Sequence, residues 1–111
     1  MREDRELLLD ILDSIEKIEK YASRGKEAFI QDELLQVWIV YHIQVIGEAA
    51  SHVSKPLRNK HPDVSWLDIV GMRNVLVHQY FGIDLEQIWD TVRIDLPSLK
   101  AETRAILGEF S

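Results

Sequence analysis

The sequence predicts an all-α fold, an up-and-down bundle of four or five antiparallel helices that forms a single domain over residues 1–111. Three observations favour it. Apolar residues recur with the period of a helix in most of the chain, and no segment alternates as a strand does. Of the 111 residues, 46% are hydrophobic, which is enough to fill one core. Cysteine is absent, so disulfides, thiolate metal sites and a cysteine nucleophile are excluded.

The first helix is predicted from about Asp4 to Ala22, ending near Gly25. Its apolar residues follow the i, i+4, i+7 spacing of an amphipathic helix, and charged residues occupy the opposite face. These apolar residues are Leu7, Leu8, Ile11, Leu12, Ile15 and Ile18.

The second helix is predicted from about Asp32 to Val53, and it is apolar nearly all round. Such a helix is buried on several sides, and in so short a chain this indicates a subunit interface. We therefore expect a homodimer built mainly on this helix, with Ile39 and Ile43 as interface residues. His42 lies in the same helix and is expected to be a core or interface residue.

Proline and capping residues divide the remaining chain. Residues 54–64, with two prolines, are predicted to form a connector. A third helix is expected from Trp66 to about Gln79, with Ser65 and Asp68 spaced as a capping box. A fourth begins at Asp84 and keeps its helical phase across Pro97, so we expect one kinked helix or two nearly collinear ones.

The charge pattern limits the possible partners. A net charge of −6 argues against a general nucleic-acid coat protein. The acids are concentrated towards the two ends, however, and residues 37–80 hold three acids against four bases. Lys55, Arg58 and Lys60, here called the basic patch, permit a small phosphate-binding site and are candidate RNA-binding residues.

Nothing in the sequence predicts a membrane protein. The N-terminus is densely charged and lacks the apolar stretch of a signal peptide. The most apolar run, Val37 to Ile43, is far too short to cross a bilayer. A cytoplasmic protein is expected.

The most informative segment is Arg73-Asn74-Val75-Leu76-Val77-His78-Gln79-Tyr80. It places a guanidinium, an imidazole and a phenol within eight residues, which are polar groups that an ordinary core helix avoids. Phosphodiester chemistry without a metal needs such groups, because an arginine stabilises developing phosphate charge and a histidine moves a proton. Arg73 and His78 are therefore candidate catalytic residues, and Asn74 is a candidate RNA-binding residue.

A structural interpretation of the same segment is also open. At ~100° per residue, Arg73 and Tyr80 share a face of an α-helix, whereas His78 lies ~140° from Arg73. Arg73 could pair with a carboxylate, His78 could cap the helix end, and Tyr80 could be a core aromatic. Glu48 could reach the cleft or form a buried salt bridge.

No two of the four histidines have i,i+4 spacing, so no zinc site is predicted, and no cofactor is expected.

The chain resembles the HepT-like branch of the HEPN superfamily, whose signature is an arginine, four residues, a histidine, one residue and a tyrosine. Arg73, His78 and Tyr80 match it without departure. The flanking resemblance covers most of the chain: Ile46-Gly47-Glu48-Ala49, His61-Pro62, Ser65-Trp66, Gly71-Met72-Arg73-Asn74, Tyr80-Phe81-Gly82-Ile83-Asp84, Trp89 and Asp95-Leu96-Pro97.

The resemblance implies a metal-independent endoribonuclease that acts as the toxin of a toxin–antitoxin pair. Its antitoxin would be a minimal nucleotidyltransferase that transfers AMP to Tyr80. The resemblance also implies a homodimer with both motifs lining one cleft. Base and acid could then come from opposite subunits, and cleavage would leave a 2′,3′-cyclic phosphate.

Two other functions stay open from the sequence. The chain could be a non-catalytic helical subunit that binds substrate or nucleotide for a nucleotidyltransferase, using Arg73 and Tyr80 only for binding. It could also be a dimerisation module without further activity.

Overall fold

The computed structural model of the protein describes residues 2–74 and 85–110, and within these ranges every regular element is helical. The predicted all-α class is thereby confirmed. A 3-10 turn (Met72–Asn74) follows α5, and a π turn (Thr91–Asp95) separates α6 from α7. The α-helices in chain order are α1 Asp4–Ala22, α2 Lys26–Gln31, α3 Glu33–Ser51, α4 Lys55–Lys60, α5 Trp66–Gly71, α6 Leu85–Asp90 and α7 Leu96–Leu107.

The long helices α1 and α3 pack antiparallel, as their cross-contacts show. Near one end, the Trp38 indole Nε1 donates a hydrogen bond to the Lys17 carbonyl over 3.2 Å. At the other end, the Ser54 amide, just beyond α3, donates to Asp4 Oδ1 over 2.9 Å. The residue number rises on one helix while it falls on the other, which fixes the register of the pair.

The last helix, α7, packs antiparallel to α1 on another side. Lys100 Nζ lies 2.7 Å from Glu19 Oε1, and Arg104 Nη2 lies 3.6 Å from Glu16 Oε2. The helices α1, α3 and α7 therefore form the centre of an up-and-down bundle, with α1 in contact with both of the others.

The core is built from the aliphatic stripe of α1 and from residues on the inward side of α3, α2 and α7. Complete burial of one such side chain stabilises the fold by about 1.5–3 kcal/mol. The largest fully buried apolar side chains are Leu8, Ile11, Ile15, Ile18, Phe29, Ile39, Val40, Ile43, Ile46 and Leu96.

The expected role of Ile39 and Ile43 at a subunit interface is wrong, because both side chains are buried within the chain's own core. A helix that is apolar all round does not show which side faces inward. The apolar residues of α3 that remain exposed are Leu34, Val37, Trp38 and Tyr41, here called the α3 outer stripe.

His42 is a core residue, as its position in an apolar helix predicted. It is buried between α3 and α1, with its Nδ1 3.3 Å from Ser14 Oγ. Its Nε2 has no hydrogen-bond partner among the described residues. Burial lowers the pKa of His42, the charge of Lys17 lowers it further and Asp13 opposes the shift. The imidazole is therefore neutral at physiological pH and serves the packing of α3 on α1.

The connector predicted at residues 54–64 contains a helix, α4. This helix was not predicted, because the two prolines indicated an irregular segment. The Ser54 hydroxyl caps it by accepting a hydrogen bond from the Leu57 amide over 3.3 Å. Pro56 stands in its first turn, where a missing N–H costs nothing. The short α2 was also not predicted, and it ends where Asp32 caps α3 by accepting from the Leu34 and Leu35 amides.

The third helix differs most from its prediction. The Ser65 side chain makes no capping hydrogen bond, and its ψ of 66° is not the extended conformation that a capping serine adopts. The α-helix ends at Gly71, and the chain tightens into the 3-10 turn. The predicted remainder, residues 75–79, lies outside the described residues.

The helical path through Pro97 is continuous from Leu85 to Leu107, in agreement with the prediction that the helix continues across this proline. The π turn precedes α7 directly, and Pro97 occupies the first turn of α7. A π turn places one extra residue in the helix, which was not predicted. The expected cap at Asp84 lies outside the described residues.

Candidate active site

Arg73 is fixed by a backbone contact between the 3-10 turn and α3. Gly47 on α3 faces this turn so closely that an added Cβ would lie 2.1 Å from the Arg73 amide nitrogen. The same Cβ would lie 2.8 Å from the Met72 carbonyl carbon. Only a glycine lets the two backbones touch here, so α3 determines where the Arg73 side chain begins.

Glu48, the next residue on α3, faces the Arg73 guanidinium. Arg73 Nη1 lies 3.8 Å from Glu48 Oε2, so the carboxylate partner of the structural interpretation exists. The pair is not buried, however, because 45% of the Arg73 side chain and 59% of the Glu48 side chain are exposed. An exposed pair of this kind is weak, and a phosphate can replace the carboxylate.

His52 extends this cluster and was missed by sequence reasoning. Its Nε2 lies 3.0 Å from Glu48 Oε1, and His52 is the residue that directly follows α3. The i,i+4 spacing of Glu48 and His52 was a signal, but only the fold brings Arg73 to the same carboxylate. We call Glu48, His52 and Arg73 the surface triplet.

Two members of the surface triplet, Glu48 and His52, line a cavity of about 680 Å³ between α3 and the N-terminal part of the chain. Its wall combines apolar side chains with polar ones at the rim. The lining residues are Arg2, Leu7, Asp10, Val45, Glu48, Ala49, Ser51 and His52.

The other motif residues are placed only in part. Asn74 is exposed at the end of the 3-10 turn, beside Arg73. His78 and Tyr80 lie outside the described residues, so their roles stay predictions. Arg73 itself lies on a 3-10 turn, and the angles predicted for one straight α-helix therefore do not apply to it.

The basic patch lies on α4, and two of its members have structural partners. The Arg58 guanidinium donates to the Ala50 carbonyl over 2.6 Å and lies 6.0 Å from the centre of the Trp66 ring. Lys60 Nζ is 3.3 Å from Glu109 Oε1, and Lys55 is exposed. Among the described residues no hydrogen bond or ion pair joins the patch to Arg73, so its binding of RNA stays a prediction.

His61 resembles His52 in its local chemistry but lies elsewhere in the fold. Its Nε2 lies 3.0 Å from Glu109 Oε1, and its carbonyl accepts a hydrogen bond from the Trp66 indole. It thus belongs to the contact between the residues after α4 and the C-terminal end of α7. No clustered set of side chains in residues 2–74 and 85–110 could hold a metal ion.

Among the described helices, none combines the length and the apolar character needed to span a bilayer.

The fold is a helical bundle, and its candidate site is an exposed arginine with the partners Glu48 and His52. Comparison with known proteins identifies the family to which this fold and site belong. The family described as "Ribonuclease HepT-like" matches residues 11–106. The chain belongs to this family, and the resemblance seen in the motif and its flanks is confirmed. No solved structure matches the chain.

Individual relatives cover nearly the whole chain. "Probable ribonuclease HepT" of Thermococcus cleftensis is 34% identical over 91% of this chain and 93% of its own length. Proteins named "Putative RNase" from Methanocaldococcus jannaschii and Caldanaerobacter subterraneus subsp. tengcongensis are 32% and 36% identical. The first match covers 95% of this chain and 97% of the relative, and the second covers 96% of each.

Proposed function

We propose that this protein is a metal-independent endoribonuclease and the toxin of a toxin–antitoxin pair. The observation that carries the proposal is the motif of Arg73, His78 and Tyr80, which lies within the residues that match the family. The names of the relatives support RNA as the substrate. The accessible guanidinium of Arg73 supports a role in binding phosphate.

The proposed reaction uses the RNA 2′-hydroxyl as an internal nucleophile. The 2′-oxygen loses its proton to a base and attacks the phosphorus, and the bond from phosphorus to the 5′-oxygen breaks. An acid protonates the departing 5′-oxygen, so the products are a 2′,3′-cyclic phosphate and a 5′-hydroxyl. Arg73 stabilises the charge on the phosphate oxygens and His78 transfers a proton.

The test compares purified wild type with Arg73→Ala and His78→Ala on a single-stranded RNA oligonucleotide, with and without EDTA. Each substitution should lower the cleavage rate by at least ~10²–10⁴-fold, the usual contribution of one proton-transfer group. Arg93→Ala is the matched control, because Arg93 is an exposed arginine paired with Asp90 on another part of the surface. It should cleave like wild type.

Three results would contradict this proposal. A folded His78→Ala protein with full activity would remove His78 from the reaction. Loss of activity in EDTA would exclude the metal-free mechanism. Wild type that binds RNA but never cleaves it would favour the non-catalytic binding subunit.

We further propose that the antitoxin is a minimal nucleotidyltransferase that adds AMP to Tyr80. An AMP group adds a bulky anion whose phosphate can pair with Arg73, and this would block the site by charge and by size.

When ATP and the nucleotidyltransferase are supplied, the mass of the wild-type protein should increase by one or more AMP units. Tyr80→Phe should gain none and should stay toxic, whereas Tyr41→Phe, which alters an exposed tyrosine of α3, should behave like wild type. AMP on any residue other than Tyr80 would contradict the assignment.

The protein is also proposed to act as a homodimer. The α3 outer stripe supports this, since large exposed apolar patches commonly mark interaction sites.

A further inference from the structure

Metal-free RNA cleavage needs two proton carriers, and the motif contains one histidine in each copy of the chain. The second carrier is therefore either the motif histidine of a second copy or a histidine outside the motif. We infer that His52, oriented by Glu48, is the second carrier and accepts the proton of the 2′-hydroxyl. This inference rests on the proposed ribonuclease function and adds a catalytic residue that lies outside the motif.

The first argument is the geometry of the Glu48 carboxylate, which joins His52 to Arg73. One oxygen, Oε1, lies 3.0 Å from His52 Nε2, and the other, Oε2, lies 3.8 Å from Arg73 Nη1. The position of Arg73 relative to this carboxylate is fixed at the backbone, because Gly47 contacts the Arg73 amide. The histidine and the group that would bind the phosphate therefore contact the two oxygens of one carboxylate.

The second argument is access. The side chain of His52 is 65% exposed, and it lines the 680 Å³ cavity beside Glu48. Ligand pockets commonly have volumes of about 300–1,000 Å³. Val45, which is half-buried, provides apolar surface in the cavity against which a nucleobase or ribose can pack. A nucleotide whose phosphate contacts Arg73 can thus lie within reach of His52.

The third argument is chemical. A carboxylate that accepts a hydrogen bond from one ring nitrogen leaves the other nitrogen free to accept a proton, and it stabilises the imidazolium that forms. In the proposed step, the free Nδ1 of His52 takes the proton from the 2′-oxygen as that oxygen bonds to phosphorus. His78 gives a proton to the 5′-oxygen as its bond to phosphorus breaks. His52 later returns its proton to solvent, so the step balances.

The surface position of the pair argues against a mainly structural role. An exposed contact between two polar side chains adds little to stability, so replacement of His52 should leave the fold intact. The charged groups around His52 are Glu48, which it contacts, Arg73, which contacts the same carboxylate, and Arg2 and Asp10, which line the same cavity. A substitution of His52 leaves the charges of these four side chains in place.

The experiment measures kcat and KM for a single-stranded RNA oligonucleotide from about pH 5 to about pH 8, where histidines titrate. His52→Gln should lower kcat by ~10²–10⁴-fold with little change in KM. The fall in wild-type rate at acidic pH, which reports protonation of the base, should disappear. Added imidazole should restore part of the activity of His52→Ala. Glu48→Gln should lower kcat less than His52→Gln does.

The control is His61→Gln, because His61 makes a histidine–glutamate contact of the same length away from Arg73. It should keep the rate and the pH profile of wild type. Wild-type kinetics in His52→Gln, alongside an inactive Arg73→Ala, would overturn this inference and leave the ribonuclease proposal standing. A slower His52→Gln with an unchanged pH profile and no imidazole rescue would also overturn it. An inactive wild type would overturn both.

Discussion

At the scale of single residues, Gly47 has the most demanding position in the described chain. Its α-carbon faces the backbone of Met72 and Arg73, and backbone atoms cannot rotate away as the end of a flexible side chain can. The whole 3-10 turn would have to shift to admit a methyl group. Gly47 thus links the packing of α3 to the position of the candidate catalytic arginine.

We predict that Gly47→Ala lowers the free energy of unfolding by about 1–3 kcal/mol, the usual cost of overpacking. It should also reduce RNA cleavage, because Arg73 moves with the turn. Gly71→Ala is the matched control, since a Cβ there would meet nothing within 4 Å and its φ is not in the left-handed region. Urea denaturation and the cleavage assay measure the two effects. Equal stability and activity of Gly47→Ala and wild type would refute the prediction.

The sequence identified Arg73 because its residue type and spacing to His78 are local features. It did not identify His52, because the link runs through Glu48, and the proximity of Glu48 to Arg73 depends on how the 3-10 turn packs on α3. A local pattern therefore reveals the motif, whereas the residues that complete a site come from tertiary contacts.

At the scale of elements, length decides what the sequence could predict. The helices α1 and α3 each have 19 residues, long enough for the period of 3.6 to be recognised, and their predicted bounds agree with the structure to within about two residues. The helices α2 and α4 have six residues each, fewer than two turns. So short a helix has no periodic pattern, and tertiary packing of Phe29 and Leu57 stabilises it instead.

The all-round apolarity of α3 shows a second limit at this scale. Composition predicted correctly that the helix has apolar residues on more than its core side. It could not assign Ile39 and Ile43 to the core and Val37 and Tyr41 to the surface, because that assignment depends on how α1 packs against α3. The α3 outer stripe repeats at i, i+3, i+4 and i+7, so it forms one continuous surface along the helix.

At the scale of the whole molecule, the α3 outer stripe is the feature that a single chain leaves unexplained. Leu34 is 81% exposed and Tyr41 is 56% exposed, and both lie on the same helix as Glu48, which His52 follows at the helix end. A second copy that covered this stripe would bring two surface triplets onto one face of the dimer. The proposed cleft between two motifs would then follow from the interface.

We predict that Val37→Glu and Tyr41→Glu each convert the proposed dimer into folded monomers, because a charge on the stripe must be desolvated when two copies meet. Light scattering at micromolar concentration measures the mass, and circular dichroism checks the helical fold. Leu67→Glu is the control, since Leu67 is 85% exposed on α5, away from the stripe. Ile39→Glu should instead unfold the protein, because it places a charge in the core. A wild type that is monomeric, or Val37→Glu and Tyr41→Glu proteins that remain dimeric, would show that the stripe does not form the interface.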